Sequence, residues 1–220
     1  MQQQSRVSLI VGAVVLLGLT VLFAVSQARG TSGADPRVET PEQRSAVVRD
    51  DSRVLGEKGS SGVTFVEFLD FECEACGAAF PVVEDLRRKY AGKVTFVIRY
   101  FPLPGHFNAE RAARAVESAA RQGKLEEMYS RMYETQKSWG EARTPHDDTF
   151  RGFAEDIGLD MEQYDADYAS EEVAARVARD VEDGTTLGLQ GTPSFFVDGQ
   201  PFQPKTVEDI ASALDEALAG

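Results

Sequence analysis

The sequence predicts an α/β fold in which a helical region is inserted between two groups of strands, after an N-terminal transmembrane helix. Three observations predict the domain. Two apolar, β-branched runs flank a segment with helical spacing near residue 75. Residues 108–188 have almost entirely helical patterns, and a hairpin signal followed by a capped helix completes the sequence.

Composition narrows the possible classes of protein. The chain has 220 residues with 23 Lys and Arg against 36 Asp and Glu, a net charge of −13, which disfavours a nucleic-acid partner. With 42% hydrophobic and 27% charged residues, it is neither disordered nor a multi-span membrane protein. Two cysteines exclude a disulfide-dense scaffold and a four-cysteine zinc site.

The N-terminal segment, residues 1–29, is predicted to be an uncleaved signal anchor. Residues 7–25 are 19 residues without a charge, long enough to span the hydrocarbon core and without the polar face of a buried core helix. Small residues at Ser26 and Ala28 leave a cleaved signal peptide as the alternative.

The side of the membrane is not decided by flanking charge. Arg29, Arg37 and Arg44 follow the apolar run while Arg6 precedes it, which read literally would place the domain in the cytoplasm. That rule is weak for long translocated domains, so the cysteine chemistry decides, and we expect an extracytoplasmic domain.

Residues 30–50 are rich in Gly, Ser, Pro and charge, and they predict a flexible linker. A single domain is expected over 51–220. Its first elements are a strand at 63–69, a helix within 77–90 and a strand at 93–100. A strand, helix and strand of these lengths predict a parallel pair with a crossover helix.

The remaining elements follow from capping and turn residues. Asn108 is expected to cap the first helix of an insertion over about 107–188, and Ser170 a later one. Asp198-Gly199 predicts a β-hairpin, and Thr206 with Asp209 predicts a capping box for the last helix.

Cys73 and Cys76 carry the predicted chemistry. A Cys-x-x-Cys pair at a strand-to-helix junction lets both sulfurs form one disulfide at the first turn of a helix. The free backbone N–H groups and the positive end of the helix dipole there stabilise a thiolate on the first cysteine. Cys73 is therefore expected to be the nucleophile, and Cys76 the shielded thiol that resolves the mixed disulfide.

Two other interpretations of the cysteines stay open. The pair is half of a zinc site, but His106 and His146 lack ligand spacing relative to it. An inert structural disulfide would close a loop of two residues and stabilise little.

Three separated motifs carry a family resemblance. Residues 67–76 (EFLDFECEAC), 99–103 (RYFPL) and 191–199 (GTPSFFVDG) occur in the order found in DsbA-like thiol:disulfide oxidoreductases of the thioredoxin superfamily. The sequence resembles that family over about 54–218. The resemblance implies a thioredoxin-like fold with an inserted helical domain.

The resemblance also implies roles for three further residues. Pro193 occupies the position of a cis-proline that faces the disulfide, and Thr192 would supply backbone for a substrate strand and a hydroxyl near the sulfurs. Glu67, six residues before Cys73, matches the buried acid beneath the active site, which suits proton transfer with Cys76. The strand pattern alone leaves a solvent-facing Glu67 as the alternative.

These features predict a membrane-tethered thiol:disulfide oxidoreductase that donates its disulfide to cysteine-containing exported proteins. A membrane redox partner would reoxidise it, and no cofactor or metal is expected. The rival redox interpretation is a reductase or isomerase. Rivals from other classes are a non-enzymatic copper- or zinc-handling thiol module and an anchored chaperone-like binder.

The sequence departs from the family around the cysteines. Glu74 and Ala75 separate them where strongly oxidising relatives often have histidine, and Glu72 precedes Cys73. Carboxylates beside a thiolate disfavour it, so Cys73 is expected to be less acidic than in a histidine-containing relative. His106 is expected to help cap the helix that follows it.

Overall fold

The computed structural model describes residue 38 and residues 40–220, and its centre is a mixed sheet of five strands. The strands are β1 (Arg53–Val54), β2 (Thr64–Leu69), β3 (Thr95–Tyr100), β4 (Ser194–Val197) and β5 (Gln200–Phe202). Their order across the sheet is β1-β3-β2-β4-β5. β2 and β3 are parallel, as predicted, and the other neighbours are antiparallel.

Eight α-helices are assigned in the described part of the chain. They are α1 (Pro41–Val47), α2 (Glu74–Lys89), α3 (Ala109–Arg121), α4 (Leu125–Thr135), α5 (Asp147–Asp156), α6 (Met161–Ala169), α7 (Glu171–Thr186) and α8 (Val207–Ala219), with a 3-10 turn at Gln136–Ser138 after α4. Helices α3 to α7 lie between β3 and β4 in the sequence. The predicted α/β architecture with a helical insertion is therefore confirmed.

The central strand β2 is buried on both faces, which is why it separates two apolar clusters. Phe65 and Leu69 belong to the larger cluster, together with residues of α2 and of the helical insertion. Val66 and Phe68 point the other way, into a smaller cluster. Side chains alternate along a strand, so Glu67 shares the face of Phe65 and Leu69.

The sequence predicts a flexible linker over 30–50, but the part of it that the structure describes contains a helix. Residues 41–47 form α1, which begins with a capping box between Thr40 and Gln43. Val47 is buried in the smaller cluster, and α1 packs beside α7. This short helix is held by contacts with distant parts of the chain rather than by its own propensity.

Several predicted boundary signals are confirmed, and one is wrong. The side chains of Ser170 and Thr206 accept N-cap hydrogen bonds, and Asp198 and Gly199 form the turn of the β4–β5 hairpin with φ of 47° and 75°. Asn108 precedes α3, but its side chain makes no capping bond. It instead donates to the carbonyl oxygens of Ala142 and Thr144, because the segment before α5 folds back over it.

No helix among the residues described is both long and apolar enough to cross a membrane. The predicted signal anchor over 1–29 lies outside those residues.

Candidate active site

The two cysteines lie at the junction of β2 and α2, as the sequence predicts. Cys73 is the N-cap residue of α2 and Cys76 lies in its first turn, and both thiols are free. Cys73 is 8% exposed and Cys76 is fully buried. Cys73 is therefore the sulfur that a substrate reaches first.

Local hydrogen bonds make Cys73 acidic. They lower the pKa of its thiol from 9.0 to about 5, with the Cys76 thiol as the largest cause, although burial opposes the shift. The backbone N–H groups of Ala75 and Cys76 also lower this pKa. The first turn of α2 thus stabilises the Cys73 thiolate, as the position of the pair predicts.

The carboxylate of Glu72 is bound by the backbone just before α3. Glu72 is buried and its Oε2 accepts a hydrogen bond from the backbone N–H of Asn108, with an N···O distance of 2.6 Å. The predicted effect of Glu72 on the acidity of Cys73 stays a prediction.

Cys76 and Glu67 form the buried half of the site. Burial, the hydrogen bond to Cys73 and the charge of Glu67 raise the pKa of Cys76 far above its usual range. Glu67 is 2% exposed, and burial with the charge of Cys73 raises its pKa from 4.5 to about 8. The solvent-facing alternative for Glu67 is wrong, and the carboxyl can hold a proton near neutral pH.

The loop before β4 covers the first sulfur. The Thr192–Pro193 peptide bond is cis, and Cys73 Sγ lies 3.4 Å from the carbonyl oxygen of Thr192. The structure therefore brings Thr192 to Cys73 and gives Pro193 a cis peptide bond, as the resemblance implies. The catalytic roles of Glu67, Thr192 and Pro193 stay predictions.

A pair that sequence reasoning missed lies beside the cysteines. Nδ1 of His106 is 2.6 Å from Oδ2 of Asp70, whose backbone oxygen accepts a hydrogen bond from Cys73 N. Burial lowers the pKa of His106, but the Asp70 carboxylate and the nearby Glu72 and Cys73 raise it overall. The expected capping role of His106 is wrong, because its ring contacts Asp70, the residue after β2, rather than the start of α3.

Gln136 is a second residue that sequence reasoning missed. Its Nε2 donates to the backbone oxygens of Phe71 and Cys73, both at 2.8 Å. Gly77 allows this approach, since a Cβ there would lie 2.1 Å from Gln136 Oε1. A side chain of the helical insertion thus fixes the turn that carries the nucleophile.

In the part of the chain that the structure describes, no group of three or more His, Cys, Asp or Glu side chains is placed to hold a metal ion. The arrangement of an acidic thiol, a buried thiol and a raised carboxyl can perform thiol–disulfide exchange without one.

Comparisons with known proteins agree with this geometry. A family model described as Thioredoxin matches residues 49–216. A thioredoxin-like oxidoreductase from Silicibacter pomeroyi DSS-3 is 30% identical with a TM-score of 0.67, over 80% of this chain and 98% of that one. The thiol-disulfide exchange protein alpha-DsbA2 from Wolbachia pipientis shares the fold at 18% identity and a TM-score of 0.67, over 80% and 91%.

The curated relatives that match this chain are longer proteins, and each is named as a Na(+)/H(+) antiporter. The Na(+)/H(+) antiporter NhaA 3 of Salinispora tropica is 36% identical over 159 residues, 71% of this chain and 23% of that protein. NhaA of Herminiimonas arsenicoxydans is 32% identical over 98% of this chain and 33% of its own length. The chain thus spans about a quarter to a third of these relatives.

The fold and the dithiol at the start of α2 define a redox protein of the thioredoxin superfamily. The chain belongs to the family described as Thioredoxin and is similar over its domain to a thioredoxin-like oxidoreductase, while it shares its fold with DsbA-type proteins. The predicted superfamily and enzyme class are confirmed.

Proposed function

We propose that this oxidoreductase donates the Cys73–Cys76 disulfide to cysteine-containing exported proteins. A substrate thiolate attacks Cys73 Sγ, the Cys73–Cys76 bond breaks, and Cys76 leaves with the electron pair and takes a proton. A second substrate thiolate then attacks the mixed disulfide, forming the substrate disulfide and releasing Cys73 as a thiolate. The protein is left reduced by two electrons.

The lowered pKa of Cys73 carries this proposal. A thiolate with a pKa of about 5 is ionised at neutral pH, and its stabilisation favours the reduced protein over the disulfide. A disulfide whose reduced form is stabilised is a strong oxidant. This value lies between the thiol pKa of thioredoxin, about 7, and that of DsbA, about 3.5.

The proposal places the domain outside the cytoplasm, tethered by residues 1–29 and reoxidised by a membrane redox partner. The apolar run supports the tether, since its 19 residues match the thickness of a bilayer core. The curated relatives also support a membrane location, because a Na(+)/H(+) antiporter exchanges ions across a membrane.

Trapping of mixed disulfides tests the function. In the full chain, Cys76→Ser leaves the nucleophile without its resolving thiol, so mixed disulfides with exported polypeptides should accumulate. Cys73→Ser is the matched control and should trap none. Oxidation of a reduced, unfolded protein by the disulfide form should proceed with the wild type only. Trapping with equal yield by both variants, or by neither, contradicts the proposal.

A further inference from the structure

Gln136 reaches from the helical insertion to the turn that carries Cys73. It is 8% exposed and begins the 3-10 turn that follows α4. A side-chain amide nitrogen carries two N–H groups, so it can donate to two acceptors at once. In Gln136 the two acceptors are the backbone oxygens of Phe71 and Cys73, each 2.8 Å from Nε2. Both donors of this amide are therefore used by the active-site turn.

The bond to Phe71 fixes the chain before Cys73. A peptide group is planar, so its oxygen and its N–H cannot turn independently. In the group that joins Phe71 to Glu72, the oxygen is held by Gln136. The N–H of Glu72 donates to Asp70 Oδ1 at 2.8 Å, and the N–H of Cys73 donates to the backbone oxygen of Asp70 at 3.1 Å. The chain therefore enters Cys73 in a defined orientation.

The bond to the oxygen of Cys73 fixes the chain after it. That oxygen also accepts a hydrogen bond from the N–H of Gly77 in the first turn of α2, at 3.0 Å. Because the peptide groups on both sides are held, the Cα–Cβ bond of Cys73 has a fixed direction. This direction brings Cys73 Sγ to 3.4 Å from the carbonyl oxygen of Thr192.

The side chain of Gln136 starts from a firmly held backbone. Its backbone oxygen accepts hydrogen bonds from the N–H groups of Trp139 at 3.1 Å and Gly140 at 2.7 Å. Trp139 is fully buried, and its ring centroid lies 4.9 Å from that of Phe150 in α5. A group supported in this way by packed neighbours keeps its geometry. The amide of Gln136 therefore carries the position of the helical insertion to Cys73.

We propose that Gln136 is a positioning residue that sets how fast Cys73 exchanges disulfides. This inference rests on the proposed function. In that exchange a thiolate attacks Cys73 Sγ, the new S–S bond forms as the Cys73–Cys76 bond breaks, and Cys76 leaves with the electron pair. The attacked sulfur must therefore stay in line with both partners, and a misplacement of about 1 Å can slow a reaction about a hundredfold.

The test is single-turnover reduction of the Cys73–Cys76 disulfide by dithiothreitol in the full chain, acid-quenched and read by thiol alkylation. Gln136→Met keeps the length of the side chain and removes both donors. We expect this variant, in its folded state, to react at least about tenfold more slowly than wild type. The pKa of Cys73, read from thiolate absorbance, should rise from about 5 by about half a unit as the first turn loses its fixed orientation. A merely structural role would lower stability and leave both readouts of the folded protein unchanged.

Gln122→Met is the matched control for Gln136→Met. The amide of Gln122 also makes two hydrogen bonds to the backbone, but within the insertion: Nε2 donates to the oxygen of Asp160 at 3.0 Å, and Oε1 accepts from its N–H at 2.8 Å. Its rate of reduction should equal that of wild type. Equal slowing by both variants would overturn the inference, because any loosening of the insertion would then have the same effect.

Gly77→Ala tests the same contact from α2. Its new Cβ would lie 2.1 Å from Gln136 Oε1, so it should displace the amide and slow the reduction as well. In a Gln136→Ala background the space is free, and adding Gly77→Ala should cause no further slowing. If Gln136→Met does not fold, the rates of these variants decide the inference.

Failure of the inference is distinguishable from failure of the proposed function. If wild type does not react with dithiothreitol, the exchange itself fails. If wild type reacts and the folded Gln136→Met and Gly77→Ala variants react at the same rate, the exchange stands and the positioning role of Gln136 is overturned.

Discussion

The imidazole Nδ1 of His106 lies 2.6 Å from Oδ2 of Asp70, three residues before the nucleophile Cys73. Asp70 is buried and also accepts hydrogen bonds from the backbone N–H groups of Glu72 and Leu103. The raised pKa of His106 keeps its positive charge to a higher pH than usual. His106 and the Cys73 thiolate interact electrostatically, since the charge of Cys73 is one of the causes that raise the pKa of His106.

Replacing His106 by Gln should make Cys73 less acidic. The loss of the imidazolium removes a favourable charge from the thiolate, so we expect the pKa of Cys73 to rise from about 5 by roughly half a unit to one unit. Thiolate absorbance against pH measures it. The difference in thiolate stability should vanish as pH rises through the pKa of His106, because the wild-type ring is then neutral as well.

His146→Gln is the control for His106→Gln. His146 lies before α5, where its Nδ1 pairs with Thr149 Oγ1 at 3.1 Å. An equal change in the pKa of Cys73 from both substitutions would show that His106 has no particular effect on the thiolate.

Glu67→Gln should change how stability depends on pH in the reduced protein. The folded state keeps the Glu67 proton up to about pH 8, while an unfolded carboxyl releases it near 4.5. Between these two pH values the folded state binds one proton more than the unfolded state. The free energy of unfolding therefore falls as pH rises, by up to about 1.4 kcal/mol per pH unit, and Glu67→Gln should remove this fall. Urea unfolding of both proteins at several pH values measures the slopes. Parallel pH profiles would contradict a raised pKa of Glu67.

Gly77→Ala should destabilise the fold although alanine favours helices. The new Cβ would displace the amide of Gln136, which then loses its bonds to the backbone oxygens of Phe71 and Cys73. We expect the free energy of unfolding to fall by about 1–3 kcal/mol. The control is Gly152→Ala in α5, where a new Cβ would meet no atom from outside its own helix within 4 Å. Its free energy of unfolding should instead rise by about 0.5–1 kcal/mol. Equal effects in urea unfolding would refute the role of Gln136.

Arg99→Met should cost about 3–5 kcal/mol of the free energy of unfolding, because it leaves buried carboxylates uncompensated. Arg99 is fully buried, and its Nε donates to Asp180 Oδ1 at 2.7 Å while it also pairs with Asp183. Its Nη1 donates to the carbonyl oxygens of Ala46 and Val47 at the end of α1.

The control for Arg99→Met is Arg151→Met, which breaks an exposed pair with Asp165. The urea midpoint of Arg151→Met should equal that of wild type within the measurement error. A similar midpoint for Arg99→Met and wild type would show that the buried network does not stabilise the fold.

Local signals in the sequence were enough for much of the fold. The Cys73-x-x-Cys76 spacing, the Asp198-Gly199 turn and the Thr206–Asp209 capping box each act over a few residues, and the structure contains all three elements. β1, with two residues, is too short to show a pattern. Glu67 was ambiguous because β2 is buried on both faces, so polar and apolar residues do not alternate along it.

The contacts that complete the site join distant residues. His106 and Asp70 are 36 positions apart, and Gln136 and Cys73 are 63 apart. Neither pair has a spacing that a helix or strand period would mark. Such contacts depend on how the helical insertion packs on the sheet, which composition and periodicity do not specify.

The reduction potential of the Cys73–Cys76 pair tests the central claim most directly. Residues 38–220, the compact unit of the structure, would be equilibrated with glutathione buffers and the thiol content measured. A stabilised Cys73 thiolate predicts an oxidising potential of about −120 to −150 mV, near the value of about −120 mV for DsbA. A potential of about −250 mV or lower, near that of thioredoxin at about −270 mV, would contradict disulfide donation and assign the protein as a reductant.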